Sequence, residues 1–250
     1  MEKRPNPVLL LLVIFACFSA GLFNVWHRQR NVQPSPVQST QQASDLTPAG
    51  DATASDQPQQ TLLILGVDNL QSQQPALVAI WYATFRLPGE GIFLFGLPTD
   101  SPSAGAEGVP LYDLFLWSAD QGVDPTFLEG LAQYVTPSPD VILVLDEVAF
   151  ATLVDYVGGV TLEGAELDGS QVVGVLRLLA DQPQASLATQ RGVLLALISK
   201  AHLLGSSPDA THLIDLIPSH AYCSAPPQQV VAMLLPLLPL EPTSVFLHTP

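Results

Sequence analysis

Two carboxylates stand where an apolar run stops. Asp68 follows the first such run in LLILGVDN, and Asp100 closes IFLFGLPTD after Leu97, Pro98 and Thr99. A run of this kind is a buried strand, and an acid at its end is delivered to the edge of a sheet. There it can present its charge to a ligand. It can equally cap the turn that follows, Asp68 with Asn69 and Asp100 over the SPS turn. Arg177, in VLRLLA, sits on an apolar helical stretch, where a guanidinium snorkels to water or pairs with Asp68 or Asp100. Gln190 and Arg191 open a further helical stretch, in which a glutamine is unremarkable.

The elements that must position these residues follow from hydrophobic periodicity. TLLILGV (61–67), ALVAIWYA (76–83), IFLFGL (92–97) and VILVLD (141–146) are nearly continuous in apolar residues, as strands covered on both faces are. PTFLEGLAQYV (125–135), EVAFATLVDYV (147–157), GSQVVGVLRLLA (169–180) and TQRGVLLALISKAHLL (189–204) carry helical spacing. Gly158-Gly159 stops the second of these helices in left-handed geometry. Segments 209–218 and 228–235 read as further helices and TSVFLHT (243–249) as a last strand, while the stripe VVAMLLPLLPL (230–240) is core or tunnel wall. Strands alternating with helices predict an α/β sandwich, with ligands at the carboxyl ends of the strands.

Charge excludes one class of partner. The chain has 250 residues and a formal net charge of −15. Four acids and four bases before residue 61 cancel, so the whole excess lies on residues 61–250, whose fixed cations are Arg86, Arg177, Arg191 and Lys200. Nucleic acid is bound through Lys and Arg on phosphates and would be repelled by such a surface. Cys17 and Cys223 lie in unlike segments at opposite ends, so no intrachain disulfide is expected. The histidines at 202, 212, 220 and 248 are scattered, without metal-type spacing to either cysteine.

Behind a short tail (1–7), residues 8–26, VLLLLVIFACFSAGLFNVW, carry no charge and would span ~28 Å as a helix. A cleaved signal peptide has a shorter apolar core ending at small residues. A lipoprotein cysteine at Cys17 is poorly served by Phe15. The apolar run continues past FSAG, which favours an uncleaved transmembrane helix. Lys3 and Arg4 before it and Arg28 and Arg30 after it leave the orientation open. Residues 27–60 are rich in Gln, Ser, Pro and Ala, cannot repay their ordering entropy, and read as a disordered tether to a head at 61–250.

Five motifs now stand in order: LLILGVDN, FLFGLPTD, LVDYVGGVTL (153–162), LDGSQVVGVLR (167–177) and TQRGVLLALISKA (189–201). Together, behind an anchor and a polar tether, they resemble the LytR-CpsA-Psr family, membrane-anchored bacterial enzymes of the cell envelope. The resemblance covers the head. It implies an α-β-α sandwich with a central mixed sheet outside the cytoplasmic membrane, a greasy tunnel for a polyprenyl chain, and arginines with Mg²⁺ gripping the lipid's pyrophosphate. The reaction it implies moves a phosphoglycosyl polymer onto peptidoglycan, with cations neutralising charge that builds on oxygen. Carried onto this chain, it assigns catalysis to Asp68, Asp100 and Arg177, substrate contacts to Thr99, Arg177, Gln190 and Arg191, and the metal to Asp68.

The chain departs from the family where charge is needed. Thr99 replaces the arginine of Pro-Arg-Asp and brings neither charge nor a bidentate fork. Leu179 replaces a second arginine, Ser186 and Thr189 stand where two more are expected, and Ala76 stands where a second magnesium-binding acid should be. Loss of one such donor commonly costs about 10²–10³ in rate. The expectation is a catalytically depleted relative that binds a lipid-linked envelope precursor or a partner enzyme. The alternatives are a working Mg²⁺-dependent phosphotransferase and a purely structural envelope domain.

Overall fold

The apolar runs read as strands at 61–67, 76–83, 92–97 and 141–146 all become strands of one sheet. In chain order the elements are β1 (Gln59–Val67), β2 (Leu77–Arg86), β3 (Gly91–Leu97), α1 (Leu111–Leu114), β4 (Trp117–Ser118), β5 (Gly122–Val123) and α2 (Pro125–Leu131). They continue with β6 (Val141–Asp146), α3 (Glu147–Tyr156), β7 (Val160–Leu162), β8 (Ala165–Leu167), α4 (Gly169–Leu178), α5 (Pro183–Ala201), β9 (Ala221–Cys223) and β10 (Val245–His248). The computed structural model describes residues 59–86, 91–105, 108–201, 219–226 and 245–250. The expected anchor at 8–26, nearly all of the tether, the helices at 209–218 and 228–235 and the stripe at 230–240 lie outside these residues. Among the described residues no helix is long and apolar enough to cross a membrane.

The main sheet is six-stranded and mixed, in the order β10-β3-β2-β1-β6-β9. β1 runs antiparallel to β2 and β2 to β3, while β6 runs parallel to β1. Consequently β1, β3 and β6 point the same way, and the acids at or just past their ends, Asp68, Asp100 and Asp146, share one edge.

Side chains alternate across the sheet. Leu63, Leu65 and Val67 of β1, with Ile80, Tyr82, Leu97 and Val144, pack on Leu111, Phe115, Phe127 and Leu131 of the α1–α2 side. Each such burial contributes roughly 1.5–3 kcal/mol before entropy is counted. Leu62, Ile64 and Gly66 face the other way, toward α3, α4 and α5.

Several boundaries differ from the sequence reading, β2 among them, which runs to Arg86 rather than residue 83. β1 begins at Gln59, inside the stretch read as tether, because its ladder with β2 extends to Arg86. Helix α2 ends at Leu131 rather than residue 135. Helix α5 begins at Pro183 rather than 189, since proline suits the first turn of a helix, where its missing N–H costs nothing. Ser186 and Thr189 therefore lie inside α5, not at its start. The hairpin β7–β8 and the edge strand β9 are too short for a periodic signal.

Candidate functional site

Beneath the shared edge, the sheet and the three helices do not close on each other. The sheet forms one buried cluster around Leu62, Ala83, Phe85, Val141 and Leu143. The helices α3, α4 and α5 with the β7–β8 hairpin form a separate one around Val154, Val172, Val193 and Leu197. Next to both lies a cavity of about 1180 Å³, walled by Ile64, Leu94 and Leu145 from the sheet and by Phe150, Leu176 and Leu194 from the helices. Protein interiors are otherwise close-packed, and most small-molecule sites hold only about 300–1,000 Å³. Small residues keep the sheet wall thin: a Cβ on Gly66 would lie 2.9 Å from that of Ala79. At Gly96 the two walls meet, since a Cβ there would come within 2.7 Å of Leu187 Cδ1 and 2.8 Å of the Trp81 ring.

The lining of the cavity includes Asp68, Thr99, Asp100, Arg177 and Gln190, along with Ala76 and Ser186. Arg191 is exposed and lies outside this lining. What each residue does is a separate matter. Asp68 braces its own loop: Oδ1 accepts from the N–H of Asn69 at 2.7 Å and of Ala76 at 2.7 Å. The Thr99 carbonyl accepts from Tyr112 N–H at 3.0 Å. Asp100 is exposed. Among the described residues its side chain does not cap the SPS segment, and the turn before that segment, Pro98–Ser101, is closed by the Ser101 N–H donating to the Pro98 carbonyl at 3.2 Å.

Arg177 does not pair with Asp68 or Asp100. Its Nε donates to Glu147 Oε2 at 2.8 Å, and its Nη2 donates to the same oxygen. Glu147 is 13% exposed and Arg177 68%. The hydrogen-bonded Glu147 carboxylate holds the guanidinium above its ordinary pKa, and Asp68 adds a smaller attraction. The lining thus carries Asp68, Asp100, Asp146, Glu147 and Asp181 against Arg177.

Gln190 is buried and fully engaged. Its Oε1 accepts from Trp81 Nε1 at 3.0 Å, and its Nε2 donates to the Val78 carbonyl at 3.0 Å and to Ser186 Oγ at 3.1 Å. The β1–β2 register skips Val78, pairing Ala79 with Gly66 and Leu77 with Val67. Val78 is the extra residue of a bulge, whose backbone groups lack ladder partners. Gln190 supplies one, tying α5 to the sheet.

Two of the motifs, LVDYVGGVTL and LDGSQVVGVLR, build backbone geometry. Asp155 Oδ1 accepts from Gly169 N–H at 2.6 Å, linking α3 to the start of α4. A Cβ on Gly169 would lie 2.0 Å from the Ala151 carbonyl oxygen, so only glycine permits that approach. Gly158 and Gly159 take φ of 79° and 78° after α3, and Asp168 with Gln171 closes a capping box on α4. Ser170 and the Gln171 amide, bonded to it, hold the Asp168 carboxyl below its ordinary pKa.

Two site residues escaped the sequence reading. Glu147 was only the first residue of a helix, although it directly follows a third strand-end acid, Asp146. That acid is 2% exposed, caps α3 through the amides of Val148 and Ala149, and has its other oxygen 2.7 Å from His220 Nδ1. No spacing signal links residues so far apart in the chain.

A magnesium ion asks for a near-octahedral set of oxygens. The residues present suit it poorly: Asp68 already has one oxygen on two amides, and Ala76 offers no donor. Among the described residues no group of three or more His, Cys, Asp or Glu converges as a metal site.

No family model matches the sequence, and no curated protein matches it. Solved structures do match the fold. TagV of B. subtilis aligns with a TM-score of 0.58 at 13% identity, covering 78% of this chain and 85% of its own. TagT of B. subtilis gives 0.55 at 17% identity, covering 80% and 81%. A LytR-Csp2A-Psr enzyme from Actinomyces oris gives 0.57 at 17% identity, covering 76% and 80%. The head, with its mixed six-stranded sheet between two helical layers, has the LytR-CpsA-Psr fold.

Proposed function

We propose that this chain is a membrane-anchored envelope protein, with its head outside the cytoplasmic membrane, that has lost transferase chemistry and keeps the capacity to hold the apolar chain of a lipid-linked envelope precursor. One observation carries the reading: a large apolar cavity persists between sheet and helices, while the arginine of its rim is already paired with a carboxylate of the same chain. An apolar chain entering such a space gains about 0.8 kcal/mol per buried CH₂, and none of that depends on charge. The related fold supports the ligand class, since TagT is known bound to LIIa-WTA. A purely structural domain has no use for so large a void, because unfilled volume costs stability.

The presence of Asp68, Thr99, Asp100 and Arg177 in one lining favours a second reading, an active Mg²⁺-dependent phosphotransferase that attaches envelope polymers to the cell wall. The first reading is tested with the full-length protein in lipid nanodiscs and a long apolar chain bearing a nitroxide quencher. Trp81, in the cavity wall, should be quenched saturably, and Trp81→Phe should lose that component. Quenching that is neither saturable nor dependent on Trp81 rejects it.

A further inference from the structure

We infer that the cavity is a flat slot that selects its lipid by length: it takes one prenyl chain of roughly 30–40 main-chain carbons, folded into side-by-side runs, and takes short prenyl chains only several at a time. This rests on the reading that the cavity holds an apolar chain, and goes beyond it by giving that chain's length and its folding within the slot.

The strand register gives the slot its dimensions. Ala221, Leu145, Gly66 and Ala79 stand side by side near the edge, on β9, β6, β1 and β2, with Pro98 just past the end of β3, and all five line the cavity. Two residues further in, the lining narrows to Leu143, Ile64 and Trp81. Beside Trp81 in that row is Gly96, where α5 meets the sheet. In the next row Leu62, Ala83 and Val141 are buried and outside the lining, which only Leu94 of that row enters. Neighbouring strands lie about 4.8 Å apart, so the slot is about 19 Å broad at the edge and about 10 Å broad one row in. From Asp68 to Ile64 is about 13 Å of strand. A volume of about 1180 Å³ spread over that area is about 6 Å thick. That admits one layer of hydrocarbon and not two, since carbons touch at about 3.5–4.0 Å.

A chain in this slot soon runs out of depth. An extended polypeptide covers about 3.3–3.6 Å per three bonds, so an extended carbon chain meets the end after about eleven carbons. The mean breadth then holds about three such runs at a spacing near 4.8 Å. One short chain would leave most of the space empty, and unfilled apolar volume costs stability. Several short chains can fill it, but each loses its own translational freedom. One long chain fills it with its runs already joined, so later runs enter at high effective concentration. Folding back requires bends, which the Z double bonds of a prenyl chain supply and a straight saturated chain lacks. The small residues Gly66 and Ala79 leave the middle of the edge row open to adjacent runs, and Ala149 lines the same space from α3.

The test counts bound chains by native mass spectrometry of full-length protein released from lipid nanodiscs. Octaprenyl phosphate and farnesyl phosphate share one head group, so a difference between them belongs to the chain. The protein should retain one octaprenyl phosphate, or about three farnesyl phosphates, and added octaprenyl phosphate should expel the farnesyl copies together. Ala79→Leu raises a post within the slot and should remove at least one farnesyl copy. Ala149→Leu should do the same from the helix wall, which keeps the test decisive if the strand variant fails to fold. A single farnesyl copy at saturation, several octaprenyl copies, or a farnesyl count unchanged in a folded variant overturns the inference and leaves the chain-binding reading standing. Retention of neither probe removes the chain-binding reading itself, and this inference with it.

Discussion

Gln190 offers the sharpest test of the site's structural logic, because the family resemblance gives it to the substrate and the geometry gives it to the fold. Gln190→Leu keeps an apolar body of similar size but removes three hydrogen bonds. The Ser186 hydroxyl can turn to a helix carbonyl. The Trp81 N–H and the Val78 carbonyl cannot, the first because Trp81 is buried at 4% exposure, the second because the bulge denies it a ladder partner. Two orphaned groups at about 1–3 kcal/mol each give roughly 2–6 kcal/mol. Water reaching Val78 through the cavity pulls the figure toward about 3 kcal/mol. For a domain of this size that is a fall in Tm of roughly 6–12 °C, read by circular dichroism on the full-length protein. Gln190→Glu adds a sign: its carboxylate meets the Val78 carbonyl, whereas the protonated form can donate to it. Part of the lost stability should therefore return as pH falls. A Tm within roughly 2 °C of native for Gln190→Leu, with chain binding lost, would refute the structural assignment.

Other outcomes follow from the backbone contacts of α3 and α4. Gly169→Ala puts a methyl 2.0 Å from the Ala151 carbonyl oxygen. It should cost about 3 kcal/mol or more or abolish folding, and a native melting curve would contradict the close approach. Asp168→Asn probes the cap on α4. The carboxyl has a lowered pKa, so its stabilisation is complete above the ordinary aspartate range and is lost as pH falls through the lowered value. The gap in Tm between Asp168→Asn and the native protein should be constant near neutrality and should close only in strong acid; a gap that instead widens on acidification would reverse the sign.

Much of the head could be read from its residues, and the gaps have physical causes. The strand VILVLD ends at Asp146 in both sequence and structure, because a buried parallel strand leaves an unbroken apolar run and the acid that stops it also caps the next helix. Val78 could not be read so well: a bulge changes pairing without changing composition. Asp68, Thr99, Asp100, Arg177 and Gln190 do line one cavity. Their partners were the hidden part. Nothing in VLRLLA says that Arg177 answers to Glu147, thirty residues earlier, because an ion pair across two helices is fixed by their crossing and not by spacing along either. The glycines and caps that shape α3 and α4 were visible residue by residue, because each acts on the backbone next to it.

One measurement bears most directly on the proposed loss of transferase chemistry. Full-length protein in nanodiscs is given a polyprenyl-diphosphate-linked glycan and a peptidoglycan acceptor, with and without Mg²⁺, and release of the polyprenyl phosphate product is followed. No transfer above background is expected in either condition. Mg²⁺-dependent transfer that Asp68→Ala abolishes would contradict it, and would make this chain a working transferase.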